Sequence, residues 1–290
     1  MMASGFMFLH LSSCSYRTQI MNVKKYIIPA LLVLVYIFIG YANYIYPLIH
    51  APEKSGDFSN PTFKYYLLVL SYILILLTLL IEKDNLEVFN IDKFSIAMLP
   101  LLGIIRVKLH IPYEEYYRAV CNLFGLILFV YCLMNWRKLP KTKPNWILLG
   151  VLSSIIVFLL AFPESIQIEK YAHSNNMYAI NPIIYGVRNF FFTITFVAPF
   201  EEIITRGIFW GQLRKWNIGE NKIFWIQAVV FWLLHGWQIF TPISFFITLP
   251  IITIIYSLLV RNSKQLFPSI VSHTLINTLG PIIVYIISGK

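Results

Sequence analysis

The stretch TFVAPFEEIITRGIFWGQL, Thr195–Leu213, reads as a membrane helix except that its middle carries Glu201, Glu202 and Arg206. The apolar run around it, 184–213, is about 30 residues long, so as one straight helix it would measure about 45 Å against a hydrocarbon core of about 30 Å. Such a segment must tilt, kink or leave the bilayer. Pro199 lacks a backbone donor and its ring clashes with the carbonyl of Thr195, which predicts a kink two residues before the glutamates. Backbone groups opened there are tolerated only where protein or a water-filled cavity satisfies them. On a helix, Glu202 and Arg206 stand four apart and can pair along one face, whereas Glu201 is turned about 100° away and can point elsewhere. A charge at the bilayer centre costs roughly 2.5–3.5 kcal/mol. Two acids against one arginine therefore leave a surplus carboxyl whose cost must be met by another partner or by protonation, and that carboxyl is the functional candidate.

Composition fixes the surroundings of this stretch. The chain has 290 residues, 58% hydrophobic and only 12% charged, with a mean hydropathy of +0.69. Soluble domains carry about 25% charged residues, so this is an integral membrane protein without room for a sizeable soluble domain. The net charge of +10 does not call for nucleic acid, because Lys and Arg cluster between apolar runs, where membrane topology and anionic lipid account for them. Cys14, Cys121 and Cys132 show no paired spacing, which supports neither a disulfide framework nor a thiolate metal site.

Apolar runs place spans near 26–46, 65–81, 94–109, 118–135, 146–162, 184–213, 223–241, 243–260 and 267–288. The expected fold is thus all-α, a polytopic transmembrane helix bundle of about eight or nine spans. Residues 1–183 form its N-terminal helices, with 1–25 an unassigned tail, and 184–290 supply the motif-bearing helices of the same membrane domain. The basic stretch before the first span has no cleavage signature and reads as a retained anchor. A cytoplasmic N-terminus puts Lys24 and Lys25, Arg137 to Lys143, Arg214, Lys215 and Lys222, and Arg261 and Lys264 all on one side, as expected in the plasma membrane of a bacterium. The polar segment 163–183 is expected to be a loop on the opposite side.

Two later segments join the acids. FWLLH sets Phe231 and His235 four apart, and HTLIN sets His273 and Asn277 four apart, so each pair shares a helix face. After residue 183 the only acids are Glu201, Glu202 and Glu220, and the only histidines are His235 and His273. Three helices bringing such groups to one depth describe a buried polar site. A carboxylate and an imidazole can activate water, and a second histidine with an asparagine can donate to a developing oxyanion, which together hydrolyse an amide without a covalent nucleophile. Glu201, His235 and His273 could alternatively hold a divalent zinc, although no HExxH is present and no cofactor is expected. Ser272 beside His273 faces away, and no GxSxG occurs. His110, Glu114, Glu115 and Arg118 form a similar-looking cluster at a loop-to-helix edge, where acids favour the helix dipole and the neighbouring tyrosines anchor at the interface.

In type, order and spacing, EEIITR (Glu201 to Arg206), FWLLH (Phe231 to His235) and HTLIN (His273 to Asn277) resemble the signature of the CAAX-protease and bacteriocin-processing family of intramembrane endopeptidases. The resemblance covers about 184–284. It implies that Glu201 is the general base, helped by His235, that Glu202 and Arg206 orient the site, and that His273 and Asn277 form the oxyanion hole. It also implies a membrane-associated peptide or protein substrate, processed within the lipid bilayer. The competing classes are a non-catalytic immunity or scaffold protein and a proton-coupled transporter. The latter calls for interrupted half-helices in two repeated halves, which the sequence does not display.

Overall fold

The computed structural model describes residues 70, 73–104, 123, 126–127, 130–131, 134–174, 182–236 and 243–287, and all regular structure among them is helical. A 3-10 turn, Leu86–Phe89, precedes helices α1 (Lys93–Ile104), α2 (Pro144–Ser174) and α3 (Pro182–Phe192). Then come α4 (Ala198–Glu202), α5 (Trp210–Lys215), α6 (Glu220–Leu234), α7 (Leu249–Ser263) and α8 (Phe267–Ile287). Ser244–Ser263 is long and apolar enough to cross a membrane, and Pro144–Leu160 is a shorter apolar helix. The span expected at 26–46, most of that at 118–135, the three cysteines and the cluster from His110 to Arg118 lie outside the described residues.

The long run through the acids is continuous helix from Pro182 to Lys215, with π-helical stretches at Thr193–Val197 and Ile203–Phe209 on either side of α4. The first ends two residues before Pro199, which is where the missing N–H and the ring interrupt the i→i−4 ladder. The wider π turn is how the chain passes the proline, and such turns gather at functional sites.

Two expectations change. The segment 163–183 begins as helix rather than loop, because α2 continues to Ser174. Glu164, Gln167, Glu169 and Lys170 are good helix formers and carry it on after the apolar residues end. At about 1.5 Å per residue such a helix is longer than a bilayer core of about 30 Å. In the other direction α6 stops at Leu234, leaving His235 at the helix end with φ −99° and ψ 18° rather than inside a span.

α8 packs along α2 and α3. Gly150 of α2 permits that approach, since a Cβ there would stand 2.5 Å from the carbonyl oxygen of Pro268. Leu79, Phe89, Ile91, Ile204 and Ile270 belong to one buried core, in which the Phe89 ring occupies the space that a side chain at Gly211 would need.

The four segments around 82–92, 135–143, 214–220 and 261–266 meet at one end of the bundle. Leu266 N–H donates to the carbonyl of Asn90 at 3.1 Å and Lys93 N–H to that of Pro140 at 3.2 Å. Arg214 donates to Val88 O at 2.7 Å and to Asn90 Oδ1 at 2.8 Å. Glu220 pairs with Arg214 at 2.5 Å and with Lys264 at 3.7 Å, and Lys215 pairs with Glu82. The basic loops from 137 onward that the charge pattern assigns to one side thus do gather at one end.

Asp92 ties this end together. It is fully buried, and its Oδ1 accepts from the N–H groups of Phe94 and Ser95 and from the Thr142 hydroxyl, each at 3.0 Å. Its Oδ2 accepts from the N–H groups of Leu266 and Phe267, both at 2.9 Å. One carboxylate caps the N-termini of α1 and α8 together. Asn90, two residues earlier, takes the left-handed conformation with φ 55° and donates from Nδ2 to the carbonyl of Arg206 at 3.0 Å, within the second π stretch.

Candidate active site

α4 and the π stretch after it supply Glu201, Glu202 and Arg206, the end of α6 supplies His235, and α8 supplies His273 and Asn277. The i, i+4 pair forms as the spacing predicts, with Arg206 Nη1 donating to Glu202 Oε1 at 2.7 Å and both side chains wholly buried. His273 Nδ1 reaches the same oxygen at 3.1 Å, and the Ser269 hydroxyl donates to Glu202 Oε2 at 2.8 Å. The guanidinium lies 4.3 Å from the ring centre of Phe231 and 5.2 Å from that of Tyr256, so two aromatic faces hold it away from the protein surface. Its Nε donates to the Ser257 hydroxyl at 3.4 Å. Glu202 therefore has three donors, one of them its charge partner Arg206, set against its complete burial.

Glu201 stands apart. Its side chain is about one-third exposed, at 34%, yet its Oε2 is buried and has no hydrogen-bond partner. That atom stands 3.9 Å from His235 Nε2 and 3.9 Å from His273 Nε2. The other nitrogen of each ring is committed. His235 Nδ1 is 2.9 Å from the carbonyl of Phe231, which can only accept, so Nδ1 carries the proton. The paired carboxylate of Glu202 imposes the same tautomer on His273. In their neutral forms both rings then turn an Nε2 lone pair toward Glu201 Oε2, and three acceptors converge with no donor among them. A separation of 3.9 Å is too long for a direct hydrogen bond and suits a bridging water, which brings two protons and contacts of about 2.8 Å.

Among the described residues, no group of three or more His, Cys, Asp and Glu is arranged to hold a metal ion. The donor types of Glu201, His235 and His273 suit zinc, but bonds of about 2.0–2.1 Å in a tetrahedron would bring ligand atoms to about 3.3 Å of one another. The 3.9 Å separations here are wider. As placed, the residues do not fit a closed zinc shell.

The structure therefore brings together Glu201, Glu202, Arg206, His235 and His273. Asn277 sits one turn further along α8 with an exposed side chain, while its carbonyl accepts from Asn189 Nδ2 at 2.9 Å. Ser272 does face away from the acids, with its hydroxyl 3.1 Å from that of Ser153. The sequence reading misses Ser269, Ser257, Gln227 and Tyr256. Of these, Gln227 has a signal, a lone amide within the apolar run FWIQAVVFW.

Residues 183–279 match the family model described as Type II CAAX prenyl endopeptidase Rce1-like. The matched stretch runs from α3 into α8 and contains all six motif residues. No curated protein and no solved structure matches the chain.

Proposed function

We propose that the chain, whose residues 183–279 match the family model of Rce1-like Type II CAAX prenyl endopeptidases, is a multi-pass intramembrane endopeptidase. It hydrolyses a peptide bond of a membrane-associated protein or peptide with water activated between Glu201 and His235. The observation that carries this reading is the buried, unpartnered Oε2 of Glu201, equidistant from two imidazole nitrogens at 3.9 Å.

A water between these atoms donates one proton to Glu201 Oε2 and the other to His235 Nε2. On attack, the water oxygen bonds to the carbonyl carbon of the substrate and its proton passes to Glu201. Breaking the C–N bond then returns that proton to the leaving amine, so that water is consumed and two chain ends are released. The developing oxyanion is met by Asn277 and by His273, whose ring the Glu202 carboxylate orients from its Nδ1 side. Arg206 keeps Glu202 charged and in place. No step requires a metal, and metal content measured on the same samples tests that.

The experiment compares wild type with Glu201→Gln and His235→Ala, purified in detergent, on membrane-tethered and prenylated peptides. Wild-type cleavage that both folded variants lose supports the reading. Equal cleavage by all three proteins would remove the site assignment, and a folded wild type that cleaves none of these peptides would count for a scaffold or immunity protein.

A further inference from the structure

Among the described residues, five buried side-chain polar atoms have no hydrogen-bond partner: Glu201 Oε2, Arg206 Nη2, Gln227 Nε2, Thr253 Oγ1 and Tyr256 Oη. The first belongs to the site above. The other four belong to residues on α6, α7 and the π stretch behind it; Arg206, Gln227 and Thr253 each contact one hydroxyl, that of Ser257, and the Tyr256 ring centre lies 5.2 Å from the Arg206 guanidinium. Ser257 Oγ accepts from Arg206 Nε at 3.4 Å and stands 2.6 Å from Gln227 Oε1 and 2.7 Å from the carbonyl of Thr253. The single proton of Ser257 serves these two acceptors, so the knot has nothing left to offer the Gln227 amide, the second Arg206 amino group or the two remaining hydroxyls.

Clustered unpaired polar atoms of this kind are where folded proteins keep internal water, one molecule making about three hydrogen bonds. The chemistry favours water over an anion. The charge of Arg206 is already balanced by Glu202 at 2.7 Å, and the group mixes N–H donors with hydroxyls that both donate and accept. We propose that Arg206, Gln227, Thr253 and Tyr256 enclose an internal water site of about one or two molecules, which hydrates the buried Arg206–Glu202 pair inside the membrane-embedded bundle. The site lies one side chain behind the reactive group. The Tyr256 ring stacks on that of His273, with centres 5.2 Å apart and planes at 24°, and His273 faces Glu201. On the protease reading, this places water at the level of a hydrolytic site that lipid would otherwise keep dry. The binding site itself does not depend on that reading.

The test uses near-isosteric deletions of single orphan atoms in the full chain: Thr253→Val, Tyr256→Phe and the double variant. Thermal midpoints in detergent are the readout, with wild type and variants also imaged at a resolution that shows ordered water. Removing an unpaired polar atom from a dry interior raises the midpoint, whereas removing a partner of a bound water lowers it. The expected result is a fall of about 2–4 °C for each single variant, a double variant that falls by less than the sum because the two groups share water, and loss of the water density. Raised midpoints, or a wild-type map with no density among these side chains, would overturn the proposal. Neither readout uses cleavage, so an inactive wild type would count against the protease reading alone.

Discussion

Asp92 and Glu201 are both carboxylates in an apolar chain, and the protein treats them in opposite ways. Asp92 is fully buried and accepts five hydrogen bonds, four from backbone N–H groups and one from Thr142. Nothing on it is left to react. Glu201 is more exposed, yet one of its oxygens is buried with no partner and looks toward two imidazoles. Glu202 lies between these extremes, buried like Asp92 but satisfied by side chains, two of them ionisable. Burial alone does not mark a working acid. On the proposed reading, what sets Glu201 apart is a lone pair for which the fold supplies no donor, next to groups able to exchange a proton.

The sharpest way to break this contrast is to neutralise each acid. Glu201→Gln keeps the shape and removes the base, so peptide cleavage should fall by about 10²–10⁴-fold while the thermal midpoint holds. A variant that unfolds instead would place Glu201 with Asp92 among the structural carboxylates. Asp92→Ala should act the other way, uncapping two helices at once for a loss of about 1–4 kcal/mol, read by thermal or denaturant unfolding in detergent. Asp92→Asn makes that comparison finer. An amide can accept on one side only, so it should cap one helix and recover part of the loss; full recovery would mean that the second cap contributes little.

A smaller effect is expected at Ser269→Ala, which removes one donor from Glu202. With Arg206 and His273 still in place, the cost should be about 1.5–3 kcal/mol of stability, without the loss of cleavage expected at Glu201. The smallest concerns Glu220, outside the spans. Its hydrogen bond from Arg214 comes first in holding its carboxyl below the usual value of 4.5, against partial burial and with help from Lys264. A lowered value in the folded chain means that stability is present above the unfolded value and is lost as pH falls through the folded one. Glu220→Gln should flatten that acid limb of the unfolding profile and leave the neutral midpoint nearly unchanged.

How far the sequence could show this contrast follows from the reach of each interaction. Glu202 and Arg206 are four residues apart, so helical spacing reveals their pairing, and the apolar run around them reveals that someone must compensate Glu201. The motif spacings at His235 and His273 were legible for the same reason. Asp92 was not legible, because its partners Thr142, Leu266 and Phe267 lie in segments far along the chain and most are backbone groups without a residue signature. A trace existed in Asp92 followed three residues later by Ser95, a helix-start pattern, but nothing local says that the same side chain also caps α8. The end of α6 at Leu234 was hidden in another way, since apolar residues on both sides of His235 continue the hydropathy of a span past the end of the helix.

The gathering of four loops at one end is a fastening. To pass there, a peptide or a solvent file would have to part Asp92 from two helix ends, Arg214 from Val88 and Asn90, and Glu220 from its two cations. Among the described residues this fastening also reaches the acids themselves, since Asn90 holds the carbonyl of Arg206 and Ser269 touches both Leu266 and Glu202, so loosening the loops would loosen the hold on the acids.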